Sequence, residues 1–479
     1  MTSAMASSLS LLPPGYELDG AYDEAFEPQG TPRPGYERLL RALNAAPLGS
    51  VSAAVRGELA NGGVTFGDRH TTFPADPVPR VLAGEDWEVL SRGLAQRVRA
   101  LQAFTADAYG ERRMVAAGLI PREVVETADH FEPWMLDVPM PPWTYSPLAG
   151  PDLVRGSDGV LRVLEDNLRT PSGLAYVWAV RAATDVHLPI DPPGDRKGVG
   201  EAAERLRAAL TASASGGEGQ VVLLSDGPAN TAWYEHRELA ARMGVPLVLP
   251  GDVHLRGGRL HAVVEGRSRT VDVVYRRTDE DRLRDPATGK ATWLAELLLE
   301  PCRAGRLVCV NGLGSGVADD KLVHAYVEEM VRFFLGEEPL IESVPTYDLT
   351  DPDCRAEALA RLDELVVKPR SGFGGHGLVV GPHARADDVS AAARRIEEHP
   401  KAWVAQETVT ISRHPTVERS ELVPRHVDLR SFVISTGERP WVLPGGLTRV
   451  AFGAGALVVN SSQNGGGKDT WVVDQVGTT

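Results

Sequence analysis

Two long stretches near the beginning of the chain carry apolar residues at helical spacing. They cover residues 36–60 and 87–109. One face of the second stretch carries Trp87, Leu90, Leu94, Val98, Leu101 and Phe104. Because spacings of three and four residues put these side chains on one stripe of a helix, the pattern predicts core packing. Arg97 and Arg99 fall on other faces of this helix, where we expect them to be solvated.

Beyond residue 150 the pattern changes to short apolar runs separated by turn residues. The runs 153–155 and 161–164 flank the turn Gly-Ser-Asp-Gly, which predicts a hairpin. A strand at 221–224, a helix at about 230–243 and a strand at 247–249 follow. This order predicts a parallel α/β unit.

Further strands and helices extend this α/β pattern. Strands at 261–264, 271–275 and 307–310 alternate with helices at 292–300 and 319–335, which predicts a small Rossmann-like domain. The last part of the chain is mostly strands with glycine turns, and one helix is predicted near 389–397. The fold class is therefore a mixture of α/β and α+β.

A chain of 479 residues is too long for one core and predicts several domains. We expect a flexible leader at 1–35, a helical region with the acidic hairpin at 36–215, the Rossmann-like domain at 216–345 and a strand-rich segment at 346–479. The first twelve residues lack the basic region of a secretory signal.

Composition argues against a membrane or a nucleic acid as a partner of this protein. No apolar run approaches the roughly 18 to 20 residues that span a bilayer, so we expect no membrane partner. The formal net charge of −15 disfavours nucleic acid as a partner, because phosphate backbones are bound by clustered basic residues. The three cysteines are widely spaced and form no C-x-x-C pattern, which fits a protein of the reducing cytoplasm.

A glycine-rich loop follows the apolar run that ends in Lys368. Its glycines are Gly372, Gly374, Gly375 and Gly377. Backbone N–H groups in such a loop can converge on an anion, and the lysine adds a positive charge, so the segment predicts a nucleotide phosphate site. The letters also spell G-x-G-x-x-G, but a strand follows where a dinucleotide fingerprint requires a helix. A hairpin turn without a ligand is the other alternative.

Oxygen-bearing side chains end the second strand of the hairpin. Glu165 and Asn167 fall on one side of the strand and Asp166 on the other. A carboxylate and an amide oxygen two residues apart suit Mg²⁺, and Asp152 on the preceding strand can lie beside them. The alternative is that these residues cap a helix that begins near Ser172.

Lys321 follows a glycine-rich stretch and two aspartates. This order predicts a flexible loop that leads into a capped helix, with the lysine in its first turn, where an anion is favoured. An exposed surface lysine is the alternative. The histidines His236, His324 and His376 are isolated from other ligand-type residues, so we expect none of them to bind a metal.

Five phrases, taken together and in order, resemble the circularly permuted ATP-grasp family, whose best-understood relatives are the glutathionylspermidine synthetases. They are EDNLRTPSG at 165–173, GSGVADDK at 314–321, KPRSGFGGHG at 368–377, LPGGLTR at 443–449 and VNSSQNGGGKDTW at 459–471. The resemblance runs from about residue 36 to the end. In this family the acidic segment precedes the lysine segments, and the order here matches.

This resemblance implies a circularly permuted ATP-grasp fold in which residues 216–345 are a Rossmann-like pre-ATP-grasp domain. It places the metal-binding segment in 36–215 and the lysine-bearing segment in 346–479. It also implies an ATP-dependent carboxylate–amine ligase that forms an amide through an acyl phosphate, with ATP and Mg²⁺ as cofactors. The implied substrates are a small-molecule or peptide-like carboxylate and an amine, and companion enzymes of the same pathway are expected partners.

The resemblance also assigns residues. Asp152, Glu165 and Asn167 are the implied Mg²⁺ ligands, and Lys321 and Lys368 are the implied phosphate-binding lysines. Residues 403–407 resemble the hinge that holds adenine in ATP-grasp proteins. The nucleotide contacts implied there are Gln406 and Glu407, although a strand end can also finish in Glu for solubility alone.

Arginines are the candidates for carboxylate binding and transition-state charge, since a guanidinium pairs bidentately with carboxylate or phosphate. Arg169, Arg276 and Arg449 are the predicted catalytic arginines, and Arg277 and Arg430 are further candidates. Arg169 lies two positions after Asn167 and is therefore the best of them. Arg276 follows a strand end, where a structural role is an equal alternative.

Two other functions stay open at this point. A nucleotide-dependent phosphotransferase can use the same fold, because a site that binds the phosphates of a nucleotide does not identify the group that accepts the phosphoryl group. A binding or scaffold protein can keep the fold and the nucleotide site without turnover.

Overall fold

The computed structural model describes residues 11–67, 69–138, 140–214, 219–279, 282–285, 287–372, 377–437, 439–453 and 465–474. The helices are α1 (Glu37–Ala45), α2 (Leu48–Asn61), α3 (Gly84–Tyr109), α4 (Arg113–Ala116), α5 (Arg122–Glu126), α6 (Leu174–His187), α7 (Ala202–Ser213), α8 (Trp233–Met243), α9 (Trp293–Arg303), α10 (Val327–Met330), α11 (Pro352–Ala360) and α12 (Ala386–Glu398).

Strands are numbered in chain order. They are β1 (Thr65–Phe66), β2 (Thr71–Thr72), β3 (Arg80–Ala83), β4 (Leu148–Ala149), β5 (Asp152–Arg155), β6 (Leu161–Glu165), β7 (Val221–Ser225), β8 (Leu247–Val248), β9 (Val253–Arg256), β10 (Arg259–Val264), β11 (Arg267–Thr270), β12 (Val273–Arg277), β13 (Val308–Val310), β14 (Thr346–Asp348), β15 (Leu365–Pro369), β16 (Val379–Val380), β17 (Trp403–Glu407), β18 (Arg413–Glu418), β19 (Glu421–Arg430), β20 (Val433–Ile434), β21 (Trp441–Val442), β22 (Leu447–Ala451), β23 (Gly465–Lys468) and β24 (Thr470–Val473).

A parallel sheet in the order β13-β12-β7-β8 lies in the middle of the chain. Strands β7 and β12 are buried along their whole length, which matches the continuous apolar runs of parallel strands covered on both faces. Helix α8 connects β7 to the parallel neighbour β8. The predicted strand, helix and strand at 221–249 are therefore confirmed.

An antiparallel sheet joins distant parts of the sequence. Its order is β23-β22-β19-β5-β6, with β18 paired to β19. The predicted hairpin of β5 and β6 forms one side of this sheet. Arg430 lies opposite Asp152 between β19 and β5, and Asp428 lies opposite Arg449 between β19 and β22. The sheet thus places the early acidic residues beside arginines from the end of the chain.

A third sheet carries the predicted lysine strand in the order β14-β17-β15-β16. Helices α11 and α12 supply apolar residues to the small core beneath it. Lys368 pairs with Val404 and Val366 pairs with Gln406, so Lys368 and Gln406 share one face as diagonal neighbours. Strands on both sides of the glycine-rich loop are confirmed.

The described part of the predicted leader is packed. Tyr16, Ala25 and Phe26 are buried in one cluster with Trp471. Glu24 accepts from Arg80 at 2.5 Å inside this region. Residues 11–35 therefore contact the rest of the protein, while the division of the chain into four domains stays a prediction.

Three local predictions differ from the structure. The helix predicted at 36–60 is split into α1 and α2 at Pro47, because proline lacks the N–H group that continues a helix. The helix predicted at 319–335 is a series of short turns ending in α10 and one π-helical turn. Asp320 causes the interruption, since its backbone is extended and its side chain accepts the N–H groups of residues 322 and 323.

Residues 460–468 are rich in Asn, Ser and Gly, which is typical of a mobile loop or a surface hairpin, and the third difference concerns the glycines before Lys468. Gly465–Lys468 is the buried strand β23, and Lys468 forms an ion pair with Asp76. Residues 460–463 lie outside the described part of the chain. Within that part, no helix combines the length and the apolar character needed to cross a membrane.

Candidate functional site

A pocket between β6, β14, β15, β17 and the segment after β13 brings together most of the predicted site residues. We call it the lysine pocket. The polar residues that line it include Glu165, Asp166, Asp320, Lys321, His324, Thr346, Lys368 and Gln406. Acidic residues from the first half of the chain therefore meet both predicted lysines from the second half.

Lys368 lies at the end of β15 and is half-buried. Its ammonium donates to the side-chain oxygen of Gln406. The pKa of Lys368 is lowered to about 8, mainly by burial; the charge of Glu165 opposes this change and that of Lys321 adds to it. Proximity to Glu165 and Lys321 shows that the three charges share one electrostatic environment.

Lys321 reaches the glycine-rich loop from the other side of the pocket. Its ammonium donates to the carbonyl oxygen of Gly372 at 2.6 Å and to that of Arg370 at 3.3 Å. Among the described residues, neither Lys321 nor Lys368 has a carboxylate within 4.0 Å. Both ammonium groups thus have neutral oxygen partners, which are weaker partners than an anion.

An ion pair links the two lysine segments. Arg370, two residues after Lys368, donates to both oxygens of Asp320 at 2.8 and 2.9 Å. It also donates to Thr127 at 2.8 Å. Because Asp320 precedes Lys321, this buried pair holds the two lysines at one place in the fold. The sequence prediction did not include Arg370 or Asp320, although both lie inside the quoted phrases.

Two of the four predicted loop glycines are described. Gly372 has φ +96° and Gly377 has φ +75°, which L side chains rarely adopt. A Cβ on Gly377 would lie 2.9 Å from a ring carbon of Pro369. Glycine is therefore required where the loop leaves and rejoins the strands. Gly374 and Gly375 lie outside the described residues.

The three predicted metal ligands lie together at the junction of β5 and β6. Asp152 pairs with Glu165 in the sheet register, and their side chains are adjacent. Asn167 donates through Nδ2 to the carbonyl oxygen of Gly150 at 3.2 Å and to Asp152 at 3.4 Å. Through this contact Asn167 is linked to Asp152, whose side chain is adjacent to that of Glu165.

Asp152 belongs to a buried group of charges that also contains Asp428, Arg430 and Arg449, which we call the arginine–aspartate network. Arg430 Nη2 donates to Asp152 at 2.7 Å, and Arg449 Nη2 lies 3.0 Å from it. Arg449 Nε donates to Asp428 at 2.7 Å. Every member of this network has an opposite charge as its partner.

The two aspartates of the network differ in pKa. Burial alone raises a carboxyl pKa, but the charges of Arg430 and Arg449 hold the pKa of Asp152 at about 2. Burial raises the pKa of Asp428 to about 6 even though Arg449 lowers it. Arg449 forms ion pairs with both of these carboxylates.

The other two predicted catalytic arginines lie in different places. Arg169 Nε donates to Asp319, a residue of the pocket wall, at 2.7 Å. Its Nη1 lies 2.6 Å from His130 Nε2. Burial and then the charge of Arg169 lower the pKa of His130 to about 3, so the imidazole is neutral and accepts. Arg276 is fully buried and donates to Thr278 O at 2.9 Å, away from the pocket.

The predicted adenine contacts separate onto opposite faces of β17. Gln406 faces the pocket, where Nε2 donates to Thr346 at 2.9 Å. Glu407 accepts from Tyr347 at 2.5 Å and from Arg361 at 3.1 Å on the other face. Since successive side chains of a strand alternate, only one of the two can line the pocket, and that residue is Gln406.

Asp166 and Arg97 form a buried ion pair beside the pocket. Arg97 donates to both oxygens of Asp166 at 2.8 and 2.7 Å. The expectation that Arg97 is solvated is wrong, because only 2% of its surface is exposed. The same carboxylate lies 2.9 Å from His324 Nδ1. Asp166 follows the last residue of β6 and lines the pocket together with Glu165, and nothing in the local sequence indicated its partners.

Comparison with known proteins gives a consistent family. Residues 79–451 match the model of a family described as circularly permuted ATP-grasp type 2. A protein of Frankia alni with a provisional name of glutamate–cysteine ligase is 44% identical over 465 residues, which cover 94% of this chain and 54% of that protein. An uncharacterized protein of Synechocystis is 38% identical over 96% of this chain and 98% of its own length.

Solved structures give the same fold. A glutathione synthetase-like effector from Globodera pallida, in its apo form, aligns with a TM-score of 0.59 at 12% identity and covers 90% of this chain and 99% of that one. At this identity the likeness concerns the fold alone. The chain spans about half the length of the Frankia relatives that it matches.

Proposed function

The chain belongs to the circularly permuted ATP-grasp family, and on this premise we propose that it is an ATP-dependent carboxylate–amine ligase whose nucleotide site is the lysine pocket. The observation that carries the proposal is that Lys321 and Lys368 lie in one pocket with Glu165, and both ammonium groups contact only neutral oxygens among the described residues. A bound polyphosphate supplies the negative charge that these two groups lack.

The two lysines hold the phosphates. On binding, Lys321 exchanges the carbonyl oxygen of Gly372, and Lys368 exchanges the amide oxygen of Gln406, for phosphate oxygens. Each exchange replaces a neutral acceptor by an anionic oxygen, which adds charge–charge attraction to the hydrogen bond. Gln406, released from the ammonium, is then free to contact the base.

The acidic group at β5 and β6 fits Mg²⁺. Enzymes of the family use ATP and Mg²⁺, and the donor set here consists of hard oxygens from Glu165, Asn167 Oδ1 and Asp152. Both oxygens of Asp152 already accept from Arg430, so Glu165 and Asn167 are the proposed direct ligands. Bound there, the ion would neutralise phosphate charge during phosphoryl transfer.

The reaction has two steps. A carboxylate oxygen of the first substrate attacks the γ-phosphorus, the bond from phosphorus to ADP breaks, and an acyl phosphate forms. The amine nitrogen of the second substrate then attacks the carbonyl carbon, the carbon–oxygen bond breaks with release of phosphate, and the nitrogen loses a proton to solvent. Protein groups contribute positioning and charge.

Arginines next to the pocket suit the charge that develops in the second step. Arg169, fixed by Asp319 at the pocket wall, is the proposed group for the tetrahedral oxyanion, and removal of such a donor typically costs about 10²–10³ in rate. Arg449 orients Asp152 and so supports the acidic group. Arg276 is buried and donates to the carbonyl oxygen of Thr278 just after β12, and its catalytic role stays a prediction.

The names of relatives indicate a substrate class. Because two Frankia relatives carry glutamate–cysteine ligase names, we propose an amino acid or peptide carboxylate and an amino acid or other small amine as substrates. Companion enzymes and a cytoplasmic location stay predictions.

The experiment that tests the proposal is a screen for ATP-dependent condensation. Purified protein is incubated with ATP, Mg²⁺ and pairs of amino acid or peptide carboxylates with amines, beginning with L-glutamate and L-cysteine. Mass spectrometry follows the amide product, and a coupled assay follows ADP. We expect ADP release only when both substrates are present, with Glu165→Gln as the inactive blank. ADP formation that needs no amine would favour a phosphotransferase, and failure to bind the nucleotide would refute the site.

A further inference from the structure

A buried ionic group lies behind the two lysines of the lysine pocket. Arg97 holds Asp166 through two hydrogen bonds of 2.8 and 2.7 Å. Asp166 is thus an anion, and its Oδ2 lies 2.9 Å from His324 Nδ1. A carboxylate in this position fixes the orientation of an imidazole ring.

The second ring nitrogen of His324, Nε2, makes no hydrogen bond within the described part of the protein. His324 is only 3% exposed, and its Nε2 has no hydrogen-bond partner among the described residues. Buried polar atoms are nearly always hydrogen-bonded, so an atom without a partner calls for an explanation. His324 lines the lysine pocket. A ligand in that pocket is the partner that explains it.

The chain path places His324 beside Lys321. Asp320 accepts the N–H groups of Leu322 and Val323, which starts the tight turn Val323–Tyr326. This turn carries the imidazole to the same pocket that Lys321 enters. Lys368 lies on the strand β15, which also borders the pocket. Three nitrogen-bearing side chains therefore converge on one volume.

We propose that His324 Nε2 donates a hydrogen bond to a phosphate oxygen of the nucleotide, as a third phosphate-binding group beside Lys321 and Lys368. The inference rests on the proposed function, since it requires that the lysine pocket binds a nucleotide. Because Asp166 is an anion, His324 Nδ1, 2.9 Å from it, carries a hydrogen that Asp166 accepts. A hydrogen bond from Nε2 to a phosphate oxygen then needs the second ring hydrogen, so the ring that contacts the phosphate carries a hydrogen on each nitrogen and lies between two anions.

Paired substitutions separate the two nitrogens. His324→Asn keeps a polar group near the Nδ1 position and removes the one at Nε2, while His324→Gln extends an amide to the Nε2 position. The probe is the magnesium complex of the non-hydrolysable ATP analogue AMP-PNP, and calorimetry measures its affinity. We expect about tenfold or greater weakening for His324→Asn, as befits a lost charge-assisted hydrogen bond, and partial recovery for His324→Gln.

A matched control uses a buried histidine outside the pocket. His236 is 2% exposed and contacts Ser225 at 2.7 Å, so His236→Asn should leave AMP-PNP affinity unchanged. Unchanged affinity in His324→Asn, or equal losses in both asparagine variants, would overturn the inference. If the wild-type protein itself binds no AMP-PNP, the proposed function has failed instead.

A second measurement does not depend on the stability of a variant. In wild-type protein labelled with ¹⁵N-histidine, two-bond ¹H–¹⁵N spectra report each ring nitrogen, and the His324→Gln spectrum identifies the His324 signals. We expect Nε2 of His324 to shift on addition of Mg·AMP-PNP while His236 stays in place. An unmoved Nε2 signal in nucleotide-saturated protein would contradict a direct contact.

Discussion

The lysine pocket and the arginine–aspartate network treat charge in opposite ways, although both lie beside Glu165. In the network, Asp152 and Asp428 are each held by arginines. In the pocket, Lys321 and Lys368 contact neutral oxygens within the described residues. A buried charge without an opposite partner costs solvation energy, which a bound anion offsets. The comparison therefore separates a framework, which is complete without a ligand, from a site that is not.

The largest effect should follow from breaking the network. Arg449→Met leaves Asp152 and Asp428 buried with one cation fewer, so we expect the free energy of unfolding to fall by about 3–5 kcal/mol. Chemical denaturation followed by circular dichroism measures it. The control is Arg41→Met, which removes an exposed pair with Glu37 and should cost less than about 1 kcal/mol. An equal loss of unfolding free energy in the two variants would show that the network does not stabilise the fold.

Removing a lysine of the pocket should weaken nucleotide binding without lowering the free energy of unfolding. Lys368→Met eliminates a half-buried ammonium that has no carboxylate partner among the described residues, so the unfolding free energy should stay the same or rise. AMP-PNP affinity should fall about ten- to hundredfold, since a hydrogen bond to a charged group contributes about 1.5–3 kcal/mol. Calorimetry measures the affinity.

The matched control for that variant is Lys401→Met, because Lys401 is exposed and pairs with Glu123. It should leave AMP-PNP binding as it is in the wild type. Unchanged affinity in Lys368→Met would show that the phosphate role of Lys368 is wrong.

Glu165 lies on the border between the two regions, and its substitution tests to which one it belongs. Glu165→Gln should weaken binding of Mg·AMP-PNP about tenfold, as loss of a metal-supporting group typically does, and should leave binding of AMP-PNP in EDTA nearly unchanged. Glu342→Gln, at an exposed carboxylate that pairs with Arg162, is the control. Equal losses with and without Mg²⁺ would speak against a metal ligand.

The smallest effect concerns pH. The pKa of Lys368 is about 8, so its ammonium is present at pH 7 and is lost as pH rises through 8. AMP-PNP affinity should therefore decline several-fold between pH 7 and pH 9, with a limit of about tenfold per pH unit for one proton. In Lys368→Arg the decline should be much smaller, because guanidinium stays charged. A wild-type profile that is flat over this range would contradict the lowered pKa.

Local sequence pattern was sufficient for part of this picture. The strands around the glycine-rich loop follow from continuous apolar runs bounded by Pro and Gly, and the hairpin of β5 and β6 follows from its turn residues. These features depend on neighbours within a few positions, so the pattern of a single segment contains the information.

Contacts between distant segments could not be predicted in the same way. Helical spacing put Arg97 off the apolar stripe, but the residue that decides its burial is Asp166, far along the chain. The same applies to Glu407, because the sequence predicted its strand but not the face of the sheet on which its side chain lies. The pairing of β17 with β14 and β15 determines that face.

By itself the sequence determined the strands around the glycine-rich loop, the hairpin of β5 and β6, and which side chains can carry phosphate and metal chemistry, because backbone preference and side-chain type are local properties. Only the tertiary structure decided which charges are neutralised inside the protein and which are left for a ligand. That outcome depends on strand register and on long-range ion pairs such as Arg370 with Asp320. The role of a charged side chain is decided only when the fold places its partners beside it.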